Sequence, residues 1–107
     1  MKGTNQNRSM IRHTVAFKLN HPAGSEAEQN FLDEARKLAA IPGVQNFECL
    51  KQISPKNPYD FGLSMEFASQ ERYDQYTNHP DHVQFVRQVW KTNVAEFLEI
   101  DYTPYAE

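Results

Sequence analysis

Cysteine is nearly missing from this chain. The lone Cys49 excludes an intramolecular disulfide and any thiolate-cluster metal centre, and it fits a reducing compartment. Long apolar runs are missing too, since none approaches the roughly 20 residues of a membrane-spanning helix. The opening MKGTNQNRS has no apolar centre of the kind a secretory signal carries, so residues 1–9 are expected to form a disordered polar tail. An excess of one charge is also lacking. Eleven Lys and Arg stand against 14 Asp and Glu, interspersed, for a net charge of −3. No basic stripe points to nucleic acid, and no acidic block points to a solvating tail. There are no internal repeats and no low-complexity stretches. The expectation is a cytoplasmic protein with neither nucleic acid nor membrane as partner.

At 107 residues the chain can bury one modest core, and a single domain over residues 10–105 accounts for it. What is abundant is aromatic. Seven Phe and five Tyr can line a core, an interface or a pocket.

Ile11, His13, Val15, Phe17 and Leu19 alternate with Arg12, Thr14, Ala16 and Lys18, a period of two that predicts a strand. His-Pro-Ala-Gly at 21–24 breaks it. Ser25 and Glu28 form a capping box. The helix behind them carries Phe31, Leu32, Ala35, Leu38 and Ala39 on one stripe and ends at Ile41-Pro42-Gly43. Val44 to Ile53 and Asp60 to Ala68 read as further strands, separated by a Ser-Pro-Lys-Asn-Pro turn. Ser69 caps a short helix with Tyr73 and Tyr76. Pro80 opens another, striped by Val83, Val86, Val89 and Trp90 to about Thr92. Phe97 to Tyr102 closes the series as a strand.

This order predicts an α+β domain of the ferredoxin-like β-α-β-β-α-β type with a four-stranded antiparallel sheet. Right-handed crossovers place both helical units on one face. The other face carries apolar side chains and needs a cover. A second copy supplies it, so a homodimer through the open sheet face, a dimeric α/β barrel, is expected.

Several segments resemble a known family. They are Arg12-His13-Thr14-Val15-Ala16-Phe17-Lys18-Leu19, Ile41-Pro42-Gly43-Val44, Tyr59 to Phe67, and Ile100-Asp101-Tyr102-Thr103-Pro104. The most specific match is Tyr76 to Val86, which fits a Tyr-x-x-His-Pro-x-His-x-x-Phe pattern. Together they resemble the stress-responsive dimeric α/β-barrel (Dabb) family from about Met10 to Tyr105. Most of that family has no assigned reaction. Its chemically best understood relative is a plant polyketide cyclase that makes olivetolic acid by aldol condensation without a cofactor. The resemblance implies a base at His82, a tyrosine partner at Tyr76, a pocket histidine at His13, and an aspartate at Asp101 that steadies the base. It implies no cofactor and leaves the substrate open.

The residues themselves admit that chemistry. His82 falls in the first turn of the helix that Pro80 opens, on its apolar face. Partial burial and the helix terminus both favour neutral imidazole, which can act as a general base. An Asp101 carboxylate on its other nitrogen would fix the tautomer and oppose that shift. The Tyr76 hydroxyl could hold a developing oxyanion. Val15, Phe17, Phe31 and Trp90 are the expected apolar ligand contacts, with His79 either a further contact or, preferably, the helix cap. No metal is expected. His13, His79 and His82 lack a short ligand spacing. Each residue also has a plainer reading as core, rim or cap, and Cys49 reads as an inert interior thiol. Two functions therefore stand: a small-ligand-binding homodimer, and a cyclase-like aldol enzyme. A barrel-type monooxygenase is a distant third.

Overall fold

A computed structural model describes residues 10–105; the predicted tail at 1–9 lies outside the described residues. The chain runs β1 (Ile11–Leu19), α1 (Glu26–Arg36), β2 (Gln45–Lys51), β3 (Phe61–Phe67), α2 (Gln70–Asn78), α3 (Pro80–Phe85) and β4 (Val94–Tyr102). A tight 3₁₀ turn, Lys37–Ala40, extends α1. A wide π turn, Val86–Trp90, and the short segment Lys91–Asn93 carry α3 onward to β4. The four strands form an antiparallel sheet in the order β2-β3-β1-β4. This is the ferredoxin-like α+β arrangement that the pattern predicts.

Each helix starts where a side chain can satisfy its orphan amides. Ser25 Oγ accepts from the Glu28 amide at 3.2 Å, and Glu28 Oε1 accepts from the Gly24 amide at 3.2 Å. Ser69 Oγ accepts from Arg72 at 3.2 Å. Such a cap contributes about 1 kcal/mol. The exit of α1 passes through Gly43, whose φ of +95° is a conformation that side chains resist.

Alternation along β1 organises the molecule. Its odd-numbered residues, from Ile11 to Leu19, are buried beneath the helices. Phe17 lies at the centre, fully buried, with ring centroids of Phe31, Phe61 and Trp90 at 5.5, 5.8 and 5.2 Å. Lateral pairing carries the same facing across the sheet. Met65, His13 and Asp101 form one row on the helix side, and Leu63, Val15 and Glu99 form the next. The even-numbered residues face the other way. Leu50, Gly62, Ala16 and Leu98 make one row there, and Glu48, Ser64, Thr14 and Ile100 another. On this open face Leu50, Leu98, Ile100 and Tyr102 are all exposed. No helix among the described residues is long and apolar enough to cross a membrane.

Two boundaries differ from the pattern. β2 is shorter than predicted, and its pairing with β3 shifts between Gln45 and Glu48, where Asn46 takes a φ of +51°. β4 begins at Val94 rather than Phe97, because the π turn brings the helix end directly to the sheet. There the Asn93 carbonyl accepts from the Asn20 amide at 2.8 Å, and Asn93 Oδ1 sits 2.6 Å from His21 Nε2.

Candidate functional site

Between the sheet and the pair α2–α3 lies a cavity of about 420 Å³. Val15, Leu63 and Met65 form its floor, and Phe85, Val86, Trp90 and Phe97 form its walls. Into this apolar lining project His13 from β1, Tyr73 and Tyr76 from α2, and His82 from α3, with Lys91 and Glu99 also lining it. The two tyrosines stand one helical turn apart over Phe67, at ring-centroid distances of 5.1 and 5.0 Å.

His82 is half-buried, and its Nδ1 lies 3.0 Å from the Thr77 carbonyl oxygen. A carbonyl only accepts, so Nδ1 carries the proton and Nε2 keeps its lone pair. Burial pushes the imidazole pKa below its ordinary 6.5. The Thr77 carbonyl opposes this, His13 reinforces it, and Glu99 opposes it; burial wins. His82 is thus a neutral histidine with a free basic nitrogen.

Tyr76 is buried, yet its hydroxyl has no hydrogen-bond partner among the described residues. No buried side-chain polar atom among them is sealed off without a partner, so this hydroxyl faces the cavity. Burial, then the charge of Glu99, raises its pKa well above the ordinary tyrosine value. It remains a phenol and a donor. Its ring lies 4.4 Å from that of His82 and 6.3 Å from that of His13.

Asp101 is placed differently from expectation. It does not orient His82. Its Oδ1 lies 2.6 Å from His13 Nδ1, and its Oδ2 accepts from the Tyr73 hydroxyl at 2.7 Å. The cause is register, because His13 and Asp101 are lateral neighbours on β1 and β4. Glu99 Oε2 stands 3.6 Å from the same His13 nitrogen. The Tyr73 pKa is driven far up by burial and then by its bond to Asp101. His13, Glu99 and Asp101 present ligand atoms within 4.8 Å of one another, the geometry nearest to a cation site among the described residues. At 2.6 Å, His13 and Asp101 are already hydrogen-bonded to each other there.

Two expected ligand contacts are also corrected. Phe17 and Phe31 are not in the lining; both are core residues packed against each other and against Trp90. His79 takes the preferred of its two readings: its Nδ1 accepts from the Asp81 amide at 3.1 Å and caps α3, outside the lining. Val15 and Trp90 do line the cavity. The π turn holds Trp90 there, with its ring edge-on to Phe97 at 5.6 Å. Sequence reasoning missed Tyr73 as a site residue. The signal was available, since it lies three positions before Tyr76 and both share a helix face.

A ferredoxin-like sheet roofed by two helical units, with a histidine–tyrosine cavity between, defines the class of small α+β barrel domains. The chain belongs to the stress responsive A/B barrel domain family, Dabb, which it matches over residues 11–104. It is similar to a Dabb family protein with a ferredoxin-like fold from Mesorhizobium loti, at 57% identity and a TM-score of 0.90, covering 91% of this chain and 98% of that one. The fold is shared with a hydroxynitrile lyase from Passiflora edulis at 11% identity and a TM-score of 0.81, covering 94% and 97%. It is also shared with a dimeric ferredoxin-like protein of unknown function from Thermobifida fusca, at 22% identity and a TM-score of 0.74, covering 89% and 91%. None of the curated proteins compared with the chain matches it.

Proposed function

We propose that this protein is a homodimer whose protomers each bind a small, mostly apolar carbonyl compound, and that His82 moves a proton to or from that ligand. One observation carries the reading. Thr77 pins the Nδ1–H of a neutral His82, which leaves Nε2 as a base beside the free Tyr76 hydroxyl. Nε2 takes a proton from the carbon next to the carbonyl, and the electron pair moves to the carbonyl oxygen. Tyr76 donates a hydrogen bond to that oxygen. The apolar walls strengthen both interactions by excluding water. The residues supply a base and an oxyanion donor by themselves, in keeping with the cofactor-free aldol chemistry that the family resemblance implies. The lyase among the fold relatives lends support, because such a frame is compatible with acid–base chemistry at a carbonyl carbon.

The dimer reading rests on the open face, where Leu98, Ile100, Tyr102 and Leu50 are exposed on one side of a thin sheet. The dimeric relative from Thermobifida fusca is consistent with it. The domain is proposed to span residues 10–105 and to act in the cytoplasm, which the lone cysteine favours.

The test is proton exchange with a probe ketone. 4-Phenylbutan-2-one in D₂O is followed by NMR with the wild-type protein. Accelerated loss of the α-proton signal that disappears in His82→Ala supports the reading. Binding of the ketone with no acceleration over buffer replaces it with ligand binding alone.

A further inference from the structure

His82 and Tyr76 leave a second constellation in the same cavity unused. His13 is buried and lines the cavity. Its Nδ1 faces Asp101 Oδ1 at 2.6 Å, with the Tyr73 hydroxyl oxygen at 3.0 Å. Asp101 spends its other oxygen on the Tyr73 O–H at 2.7 Å, and the same hydroxyl lies 3.4 Å from Glu99 Oε2. A carboxylate only accepts, so it holds the proton of His13 on Nδ1. Nε2 has no partner among the described residues and is not sealed off, so it faces the cavity. The titratable groups around this imidazole are Asp101 and Glu99 from β4, Tyr73 and Tyr76 from α2, and His82 from α3, with Lys91 lining the same cavity.

We propose that Tyr73, Asp101 and His13 form a second proton-transfer relay facing the same ligand as His82. This rests on the His82 reading and extends it. His82 handles the proton on carbon, and His13 Nε2 handles a proton on a second ligand oxygen. The ligand class is therefore a carbonyl compound with a hydroxyl on the neighbouring chain, or the dicarbonyl it forms from. In the cleaving direction, Nε2 takes the hydroxyl proton as the carbon–carbon bond breaks. A new carbonyl forms at that carbon, and the bonding pair passes to the other fragment as an enolate held by Tyr76. The imidazolium at His13 then passes that proton through solvent to His82 Nε2, and His82 delivers it to the enolate carbon, so both histidines end neutral. The imidazolium formed at His13 lies against the Asp101 carboxylate, 2.6 Å from Nδ1. Asp101 and Tyr73 are positioning residues, because they act through His13. Both histidines lie near Tyr76, with ring centroids at 4.4 and 6.3 Å from it, and both line the same cavity, so one small ligand can reach both.

The test separates the two histidines. Exchange of 4-phenylbutan-2-one needs only His82 and Tyr76. Cleavage of 4-hydroxy-4-phenylbutan-2-one to benzaldehyde and acetone also needs His13. Tyr73→Phe and Asp101→Asn should lower cleavage at least about tenfold more than they lower exchange. Histidine ¹⁵N shifts give a readout independent of turnover. In Asp101→Asn the amide can donate to Nδ1, so His13 should flip to its Nε2–H tautomer while His82 keeps Nδ1–H. Equal losses in both reactions, or a tautomer flip at His82 instead of His13, would overturn the relay. Absence of exchange by the wild-type protein, together with cleavage that Asp101→Asn still lowers, would overturn the His82 reading and leave His13 as the base for the hydroxyl proton.

Discussion

The rings of Tyr76 and His82 lie 4.4 Å apart across the break between α2 and α3, tilted by 46°. Pro80 at the start of α3 and the His79 cap fix this break, and the Thr77 carbonyl then reaches back to His82. A hydrogen-bond donor and a base are thereby set side by side by a proline, a side-chain cap and a backbone carbonyl that adjoin in sequence.

Removing the base should cost the reaction and spare the fold. His82→Ala is expected to lower ketone proton exchange by about 10²- to 10⁴-fold. His82 is only half-buried, so circular dichroism and thermal melts should stay close to wild type. Tyr76→Phe keeps the ring packed on Phe67 and deletes only the free hydroxyl, so it should lower exchange with little change in melting temperature.

Stability should fall on mild acidification. The folded-state pKa of His82 lies below its ordinary 6.5. Between those two values the unfolded chain binds the extra proton and the folded chain does not, so stability drops as pH falls through this window. The penalty then levels off below the folded value. Glu66 acts later, since hydrogen bonds from Asn46 and Arg12 hold its pKa below 4.5 and its contribution is lost only under stronger acid. Thermal melts from about pH 8 to about pH 5 should show the slope, and His82→Asn should flatten it.

Phe17 belongs to the core, not to the ligand. Phe17→Ala is expected to destabilise the protein by about 3–5 kcal/mol through a cavity beneath Trp90. Denaturant titration measures this. A loss of ketone binding without a loss of stability would place the ring back in the site.

A charge on the open sheet face should split the dimer. Leu98→Glu puts a carboxylate in the row Leu50–Gly62–Ala16–Leu98. Burying it against a second copy is unfavourable, and association should weaken at least about a hundredfold. Sedimentation should then report the protomer mass, with an unchanged circular dichroism spectrum.

Much of the fold was legible because it is written in short-range patterns. β1 alternates strictly, α1 carries its stripe and its cap, and Pro80 announces α3. The site was legible where the motif is local, as with Tyr76, His82, Val15 and Trp90. What could not be read depends on register or on backbone detail. Whether Asp101 meets His13 or His82 is decided by pairing between strands 88 residues apart. The π turn at Val86–Trp90 has no simple sequence signature, and it sets both the place of Trp90 and the early start of β4. Phe17 shares the facing of Val15 but sits deeper, and alternation gives a side without a depth; Phe31 lies on the apolar stripe of α1, which has the same blindness to depth.

The two sides of β1 have a consequence for how this chain can change. A substitution at Ala16 alters the open face of the sheet, and one at Val15 alters the face that carries the core and the cavity. Adding or deleting one residue within the strand would turn His13 outward and Arg12 inward at a stroke. Side chains on either side of this ribbon can therefore change one at a time, whereas a change in its length disturbs both faces at once.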